Sequence, residues 1–358
     1  MRLARLADED ADYARLGLQR GRVEPWEDGL RTTGGRGSYE WWYFDSHLDD
    51  GSSLVITFYT KWILDPKGPE APMIMVNLDR PGQPTKQVTI HVTPQEFTAS
   101  KERCDVRMKQ NYFRGDLHTY QIRVVDDSLT VEVELVGQVP AWRPATGHSY
   151  FGAHDEHLFA WMPAVPQGRV TATLTEKGAD ARTLSGIGYH DHNWGDVVMS
   201  KLLNHWYWGR AQAGPYSVIA AWLYATREYG RIELPQILIA KGGEIVADQA
   251  SKVRLTLEDV STDAKSGKPV ANRIIYDYAQ DDRVRYRVTF QRRETILDYK
   301  LADTVTGIKH VLAEIARVDG AYLRFSGTVT VEKYEAGQRV EQASDPGIWE
   351  LMYLGHVE

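Results

Sequence analysis

One short segment of the sequence, GIGYHDHNWGD at residues 186–196, concentrates polar and titratable side chains in a chain that is otherwise rich in apolar and aromatic residues. It holds two histidines, two aspartates, an asparagine and a tyrosine. If the segment is a strand, successive side chains point to opposite faces. The expected sets are Tyr189, Asp191 and Asn193 on one face, and His190, His192 and Trp194 on the other.

A metal centre is one interpretation of this segment. His190 and His192 form an i,i+2 pair on one face. Zinc sites use such pairs, and His205 or His157 is available as a further ligand. However, the aspartate between the two histidines points the other way, and no other ligand spacing in the sequence completes the site. The single cysteine of the chain excludes a thiolate-rich centre, so we expect no metal and no cofactor.

An acid–base site is a second interpretation, and it centres on Asp191. A carboxyl group enclosed by tryptophan and tyrosine loses hydration, which raises its pKa and allows it to donate a proton near neutral pH. His190 or His192 would hold or return that proton. A second titratable cluster stands earlier in the chain, at His154, Asp155, Glu156 and His157.

A buried structural network is a third interpretation, and the residues alone leave it open. Gly186, Gly188 and Gly195 flank the polar residues, which indicates a tight or closely approached backbone. Aspartate, histidine and asparagine beside glycine often bond to the backbone and fix a bend. Such a network would be hydrogen bonded and catalytically silent.

A tryptophan-rich segment, YEWWYFD at residues 39–45, offers a carboxylate among aromatic side chains. Glu40 is either a buried general base or hydrogen-bond acceptor, or it caps a strand or pairs with an arginine such as Arg210. We predict that Trp41, Trp42 and Tyr43 form pocket walls, because tryptophan and tyrosine combine a large apolar body with a polar tip.

A second such segment is HWYWGR at residues 205–210. Trp206, Trp208 and Arg210 share one strand face. That face either stacks a conjugated ligand, with the arginine as a polar anchor, or belongs to the core with a salt bridge.

The elements that must position these residues are mostly strands. Apolar and polar residues alternate in SLTVEVELVGQV, RVTATLTEKG, KVRLTLEDV and RVRYRVTFQRRE, which predicts strands with one wet face in antiparallel sheets. Helical patterning is confined to the region near Asp8–Leu18 and to VVMSKLL at residues 197–203. We predict an all-β fold of two antiparallel β-barrel or sandwich domains with few short helices.

A length of 358 residues fits two domains. The expected division is an N-terminal arm at 1–38, a β-domain at 39–200 and a second β-domain at 201–358.

Charge and composition exclude several classes of protein. The net charge is −7, and no run of lysine and arginine indicates nucleic-acid binding. The chain has no apolar stretch long enough to span a bilayer, and its charged N-terminus does not resemble a signal peptide. We expect a cytoplasmic monomer or homodimer that binds a small hydrophobic molecule, without stable membrane insertion.

Four motifs together resemble a known family. YEWWYFD, GIGYHDHNWGD, HWYWGR and the terminal GIWELMYLGHVE are similar, in content and order, to the AttH/CrtC-like family of lipocalin-like proteins. That family includes carotenoid 1,2-hydratases (hydroxyneurosporene synthases), kievitone-hydratase-like enzymes and natural-product cyclases of the Diels–Alderase type. The resemblance runs from about Tyr39 to the C-terminus, and the residues before Tyr39 have no clear counterpart.

The resemblance implies two lipocalin-like β-domains side by side, with a ligand cavity in or between them. For the hydratases it implies that Asp191 protonates an isolated alkene, with Tyr189 and His190 beside it. Members with other activities share the motif, so the motif alone does not select hydration.

Three functions follow. A cyclase would fold a linear polyene from polyketide or isoprenoid metabolism until its reacting carbons meet, which lowers the barrier by ~7–11 kcal/mol. Hydrogen bonds from groups such as Tyr43, Asn193 or Arg210 would assist it. A hydratase would use Asp191 as the acid, with the cation shielded by aromatic faces and water delivered by a histidine. A non-catalytic carrier is the third, because fold does not decide function.

The charge pattern favours the cyclase. A carotenoid hydratase draws its substrate from a bilayer, for which we expect an amphipathic helix or a basic aromatic rim, whereas the N-terminal segment is mixed in charge and the protein is acidic. The predicted catalytic residues are Asp191, His190, Tyr189 and Glu40. The predicted substrate-binding residues are Trp41, Trp42, Tyr43, His157, His192, Asn193, Trp206, Trp208 and Arg210.

Overall fold

The protein, in a computed structural model that describes residues 3–300 and 319–357, divides into two compact units. The Asp191 unit comprises Ala7–His148 and His157–Val198, and the C-terminal unit comprises the described residues of Met1–Leu6, Ser149–Glu156 and Met199–Glu358. Residues 7–38, expected as a separate arm, are thus counted in the Asp191 unit. The domain limits expected from the sequence stay a prediction.

The Asp191 unit is built on one antiparallel sheet. Its strands are β2 (Tyr39–Leu48), β3 (Ser53–Tyr59), β4 (Met73–Asp79), β5 (Lys86–His91), β6 (Phe97–Ala99), β7 (Asp105–Met108), β8 (Asn111–Gly115), β9 (Thr119–Val125), β10 (Leu129–Gly137), β12 (His157–Glu176) and β13 (Arg182–Gly195). They pair in the order β5-β4-β3-β2-β13-β12-β10-β9-β8-β7-β6. The strand that carries the polar motif, β13, therefore lies inside the sheet, between β2 and β12.

The C-terminal unit contains a second antiparallel sheet, which has nine strands among the described residues. They are β14 (Leu203–Ala213), β15 (Tyr216–Ala225), β16 (Glu233–Lys241), β17 (Glu244–Ala247), β18 (Val253–Thr262), β19 (Pro269–Gln280), β20 (Arg283–Lys300), β21 (Ala321–Glu335) and β22 (Gln338–Tyr353). Their order is β17-β16-β15-β14-β22-β21-β20-β19-β18. In addition, β1 (Ala4–Leu6) pairs with β11 (His148–Phe151).

Helices are short and few in the described part of the chain. The α-helices are α1 (Asp10–Leu16) and α2 (Met199–Leu202), and the 3-10 helices are Pro25–Asp28, Pro94–Glu96, Arg227–Tyr229 and Ala250–Lys252. Both α-helices lie in the two regions that the sequence singled out. None of the helices described is long and apolar enough to cross a membrane.

Alternation of side chains explains how each sheet forms its core. In β10, Val131, Val133 and Leu135 are buried, whereas Glu132 and Glu134 are exposed. Each unit has its own apolar cluster on the inner face of its sheet, and burial of apolar surface at roughly 25 cal/mol per Å² is the main stabilising contribution of such a cluster. The predicted all-β fold of two antiparallel sheets with few helices is confirmed.

Candidate functional site

Strand β13 presents two different surfaces in its buried second half. Asp191 lies opposite Tyr43 of β2, and Asn193 lies opposite both Trp41 of β2 and Trp161 of β12. Directly opposed side chains of an antiparallel pair lie on the same face. Trp41, Tyr43 and Trp161 therefore share the face of Asp191.

Three donors hold the Asp191 carboxyl group. The Tyr189 hydroxyl donates to Oδ2 at 2.7 Å, and Trp161 Nε1 donates to the same oxygen at 2.8 Å. Asn193 Nδ2 donates to Oδ1 at 2.7 Å. The alternation of β13 places Tyr189 and Asn193 on either side of Asp191, and the neighbouring strand supplies the tryptophan. The carboxyl group is thereby fixed in one orientation.

The electrostatics of Asp191 combine two opposing effects. The side chain is only 8% exposed, and burial raises the pKa of its carboxyl group to about 6, although hydrogen bonds from Tyr189 and Trp161 oppose that rise. A carboxyl group with such a pKa retains its proton in about one molecule in ten at pH 7. Asp191 can therefore act as an acid or hydrogen-bond donor near neutral pH, and its carboxylate can take the proton back.

The face around Asp191 is aromatic. We call it the aromatic face and define it by Trp41, Tyr43, Tyr59, Trp161 and Tyr189. The rings of Trp41 and Tyr59 lie 6.4 Å apart, and those of Tyr43 and Tyr189 lie 6.3 Å apart. Burial raises the pKa of Tyr59 to about 12, so this phenol remains neutral. Such a surface suits a flat, unsaturated and largely uncharged ligand.

Glu40 lies on the opposite, inner face of the sheet. It is fully buried, and its carboxylate accepts hydrogen bonds from the backbone N–H groups of Arg31 and Thr32 at 2.7 and 2.8 Å. The Thr32 hydroxyl also donates to it at 2.7 Å, and His192 Nε2 lies 2.7 Å from it. The structure therefore places the predicted catalytic Glu40 and the predicted binding residue His192 with each other rather than with Asp191.

The other histidine of the inner face, His190, contacts a second buried carboxylate. Its Nδ1 lies 2.9 Å from the carbonyl oxygen of Tyr43, and its Nε2 lies 3.1 Å from Asp28 Oδ2. The Tyr120 hydroxyl donates to the same oxygen of Asp28 at 2.5 Å. Burial acts to raise the pKa of Asp28, but the combined effects of His190, His192 and Tyr120 outweigh it, so that this pKa lies below its usual value.

The predicted binding residue Trp42 also lies on the inner face. It is fully buried, stacks on His192 with ring centres 4.7 Å apart, and donates from Nε1 to the carbonyl oxygen of Asp28 at 3.0 Å. Of the neighbouring aromatic pair, Trp41 thus belongs to the aromatic face and Trp42 to the core.

One group of metal-ligating types occurs among the described residues. Ligand atoms of Asp28, Cys104 and His190 lie within 4.8 Å of one another. We interpret this group as hydrogen bonded rather than metal binding, because the Asp28 oxygen that faces His190 already accepts the hydrogen bond of Tyr120. The histidine pair considered from the sequence contacts two carboxylates: His190 contacts Asp28, and His192 contacts Glu40 through Nε2 at 2.7 Å and Asp28 through Nδ1 at 3.5 Å.

The remaining predicted residues lie elsewhere. His157 is half-exposed on β12, with Nδ1 3.4 Å from Asp196. Trp206, Trp208 and Arg210 follow one another at alternate positions of β14 in the C-terminal unit, all partly exposed.

In that C-terminal unit, Glu350 of β22 lies opposite Trp208. Its carboxylate accepts a hydrogen bond from the Tyr322 hydroxyl at 2.6 Å and one from Trp206 Nε1 at 3.4 Å. The terminal motif GIWELMYLGHVE contained this glutamate, but sequence reasoning did not assign it a role. The C-terminal unit thus carries its own carboxylate among tyrosine and tryptophan.

Sequence reasoning also missed residues that contact the site. Trp161, the indole donor to Asp191, stands in GAHDEHLFAW, where the titratable residues drew attention instead. Asp28 and Tyr120 lie far from the motif in sequence: Asp28 is 162 residues from His190 and 92 residues from Tyr120. No local pattern marks either one, because Asp28 lies in a 3-10 helix and Tyr120 in β9, and only the tertiary fold brings them together.

Comparisons with known proteins find one family model that matches part of the chain and several relatives with partial similarity. The Diels-Alderase-like family matches residues 141–305, which include all strands from β11 to β20. A hydroxyneurosporene dehydrogenase of Chlorobaculum tepidum is 27% identical over 204 residues, which cover 49% of this chain and 53% of that protein. A quinolone epoxide rearrangement protein, penF of Penicillium thymicola, is 31% identical over 84 residues, which cover 24% of this chain and 22% of that protein. The match thus spans about half of the length of the first relative.

A solved structure resembles the fold over most of its length. The structure of CghA with Sch210972 superposes with a TM-score of 0.61 at 15% identity, and it covers 90% of each chain. At this identity the likeness concerns the fold alone.

Proposed function

We propose that this chain is an enzyme of natural-product metabolism that closes a ring in a linear hydrophobic polyene. The proposal starts from the motifs, the all-β fold and the similar proteins, which together support membership of the AttH/CrtC-like lipocalin-like family. One observation carries the proposal. Asp191, a buried carboxyl group with a pKa of about 6, is held by three donors on an aromatic face.

The aromatic face binds and folds the substrate in this proposal. Trp41 and Tyr43 are partly exposed on the face of Asp191, so a conjugated chain can stack on them without displacing the core. Holding the two reacting segments together removes translational and rotational entropy, which contributes ~7–11 kcal/mol to barrier lowering in well-oriented systems.

Asp191 assists the reaction through its proton. Protonated Asp191 donates a hydrogen bond to a carbonyl oxygen conjugated with the reacting alkene, which withdraws electron density and lowers the barrier to cyclisation. The donors Tyr189, Trp161 and Asn193 prevent the carboxyl group from rotating away. The relatives include a protein of epoxide rearrangement, a reaction that proton donation to the epoxide oxygen also promotes.

Hydration is a second candidate, favoured by the raised pKa of Asp191. In this reaction Asp191 transfers its proton to the terminal carbon of an isoprenoid alkene and leaves a tertiary cation. Tryptophan and tyrosine faces stabilise that cation. Water then adds to it and returns one proton to the Asp191 carboxylate, so the product gains one water.

Product mass distinguishes the two reactions. We would incubate the purified protein with two sets of probes, linear polyenes that carry a conjugated carbonyl group and acyclic isoprenoid polyenes, and follow each by mass spectrometry and absorbance. Ring closure gives unchanged mass, altered retention and a shorter conjugated system, whereas hydration adds one water. If both probe sets bind but return unchanged, the protein is a carrier and the enzymatic proposal is wrong.

We expect turnover to depend on pH with an apparent pKa of about 6, the value of Asp191. The protonated form is the active one, so kcat/KM reaches a plateau below pH 6 and falls about tenfold for each unit above it. A profile measured between pH 4.5 and 8.5 in one buffer series checks this. A flat profile would mean that the protein accelerates the reaction only by positioning the substrate. A profile that rises with pH would mean that Asp191 acts as a base.

A further inference from the structure

The inner face of β13 holds a hydrogen-bond pattern that requires an extra proton. A carbonyl oxygen only accepts hydrogen bonds, so the contact with the Tyr43 carbonyl at 2.9 Å places a proton on Nδ1 of His190. If the ring were neutral, its Nε2 would then carry a lone pair facing Asp28 Oδ2 at 3.1 Å. The Tyr120 hydroxyl donates its single proton to that oxygen, so it supplies no proton between His190 Nε2 and Asp28 Oδ2.

We propose that Asp28 and His190 form a buried ion pair whose imidazolium charge, one residue from Asp191 and on the opposite face of the same strand, sets the acidity of the Asp191 carboxyl group. His190 is thus a positioning residue that acts through Asp191 and does not contact the substrate. The role in catalysis rests on the proposed function, whereas the ion pair itself does not.

Burial strengthens the effect of the His190 charge on the Asp191 carboxyl group. His190 is fully buried and Asp28 nearly so, and Phe113 and Tyr120 cover the imidazole with ring centres 4.6 and 4.5 Å away. His190 and Asp191 are both buried, so their electrostatic interaction is weakly screened. A cation at position 190 favours the carboxylate form of Asp191 and lowers its pKa, in opposition to burial.

Within the part of the chain that the structure describes, several other charged or titratable groups lie near the two residues. On the side of Asp191 they are Tyr189, Tyr43, Tyr59 and Asp45. On the side of His190 they are Asp28, Tyr120, Cys104 and His192, whose Nδ1 lies 3.5 Å from Asp28 Oδ1, and Glu40 contacts His192 in turn. Burial keeps the pKa of Tyr189, Tyr120 and Cys104 well above the usual values. Tyr189, Tyr120 and Cys104 therefore stay neutral in the pH range where Asp191 titrates.

The test reads both residues by nuclear magnetic resonance in the full-length protein. The ring nitrogens of ¹⁵N-histidine report the charge of His190, and the carboxyl carbon of ¹³C-aspartate reports the titration of Asp191, assigned by its loss in Asp191→Asn. We expect two protonated ring nitrogens on His190 at pH 7.5. A neutral ring with one protonated nitrogen would overturn the proposal, and this measurement needs only the native chain.

Two variants then separate the ion pair from a packing effect. His190→Gln removes the cation and is expected to raise the titration midpoint of Asp191 by about one pH unit. Asp28→Asn removes the counter-ion, so the buried ring becomes neutral, and the midpoint rises by a smaller amount because an anion is lost as well. Phe113→Leu, which alters packing on the ring without removing charge, is the matched control and leaves the midpoint in place.

The outcomes distinguish this inference from the proposed function. If His190→Gln folds, as judged by circular dichroism, and the Asp191 midpoint does not move, the ion pair does not set its acidity. If the midpoint moves as expected but no probe is converted by the native protein, the ion pair stands and the enzymatic proposal fails. If the ion pair and the proposed function are both correct, the pH profile of turnover in His190→Gln shifts by the same amount as the titration midpoint of the Asp191 carboxyl carbon.

Discussion

Replacing Asp191 with asparagine is expected to reduce turnover by about 10²–10⁴-fold, the contribution typical of a positioned acid, while the protein stays folded. The asparagine side chain is the same size and keeps an oxygen that can accept from Tyr189 and Trp161. Rotation of the Asn193 amide allows its oxygen to accept from the new NH₂ group. Turnover of the probe that the native protein converts, measured at pH 6, checks the expected loss.

In Asp191→Asn, the free energy of unfolding at pH 7 should stay equal or rise although turnover falls. The folded-state pKa of Asp191, about 6, lies above the ordinary value of 3.8, so folding favours its protonated form. Stability from this group is fully present below a pH of about 4 and is lost as the pH rises to about 6. At pH 7 the ionised carboxylate costs about 3 kcal/mol, and asparagine removes that cost. We expect the free energy of unfolding in urea to be equal or higher in the variant at pH 7.

A matched control comes from the same motif. Asp196→Asn changes a half-buried aspartate that accepts from the Leu158 backbone N–H at 3.1 Å and contacts His157, without a hydrogen bond to the carboxyl group of Asp191 among the described contacts. It should keep most of the turnover. Failure of Asp191→Asn to fold would instead make the motif a structural network, and full turnover in a folded variant would exclude the acid role.

The sequence predicts the fold well because the signal is local. A period of two extends through β10 and the first half of β18. The polar motif follows the same period, so the two sets of side chains on β13 can be assigned without knowledge of the strand pairing. The two short helices also have local signals, and α1 is capped at its C-terminus by Gly17, whose φ of 69° favours glycine. These features depend on neighbours within a few residues.

The composition of the site was harder to predict because it depends on strand order. Asp191 and Glu40 both looked like carboxyl groups among aromatic residues, and nothing local tells which strand face carries the ligand. The register of β2 against β13 decides it, since Glu40 lies opposite Trp194 while Tyr43 lies opposite Asp191. Asp28 and Trp161 enter through long-range packing that a single sequence does not encode in any short pattern.

Changing Glu40 to glutamine is expected to destabilise the protein by about 3–5 kcal/mol, the range for breaking a buried charged pair. The glutamate is fully buried and accepts from Arg31, Thr32 and His192. Glutamine replaces one acceptor oxygen with an NH₂ group, which then faces donors, and a buried donor without an acceptor costs free energy. Urea unfolding at pH 7 measures the loss.

Turnover per folded molecule should stay unchanged in Glu40→Gln, because Glu40 and Asp191 lie on opposite faces of the sheet. Glu132→Gln is the matched control, since this glutamate lies on strand β10 of the same sheet with its side chain 56% exposed beside Arg123. Its effect on stability should be within about 0.5 kcal/mol. A Glu40→Gln protein with native stability and lost turnover would place Glu40 among the catalytic groups, as the sequence predicts, and would move the substrate to the inner face of the sheet.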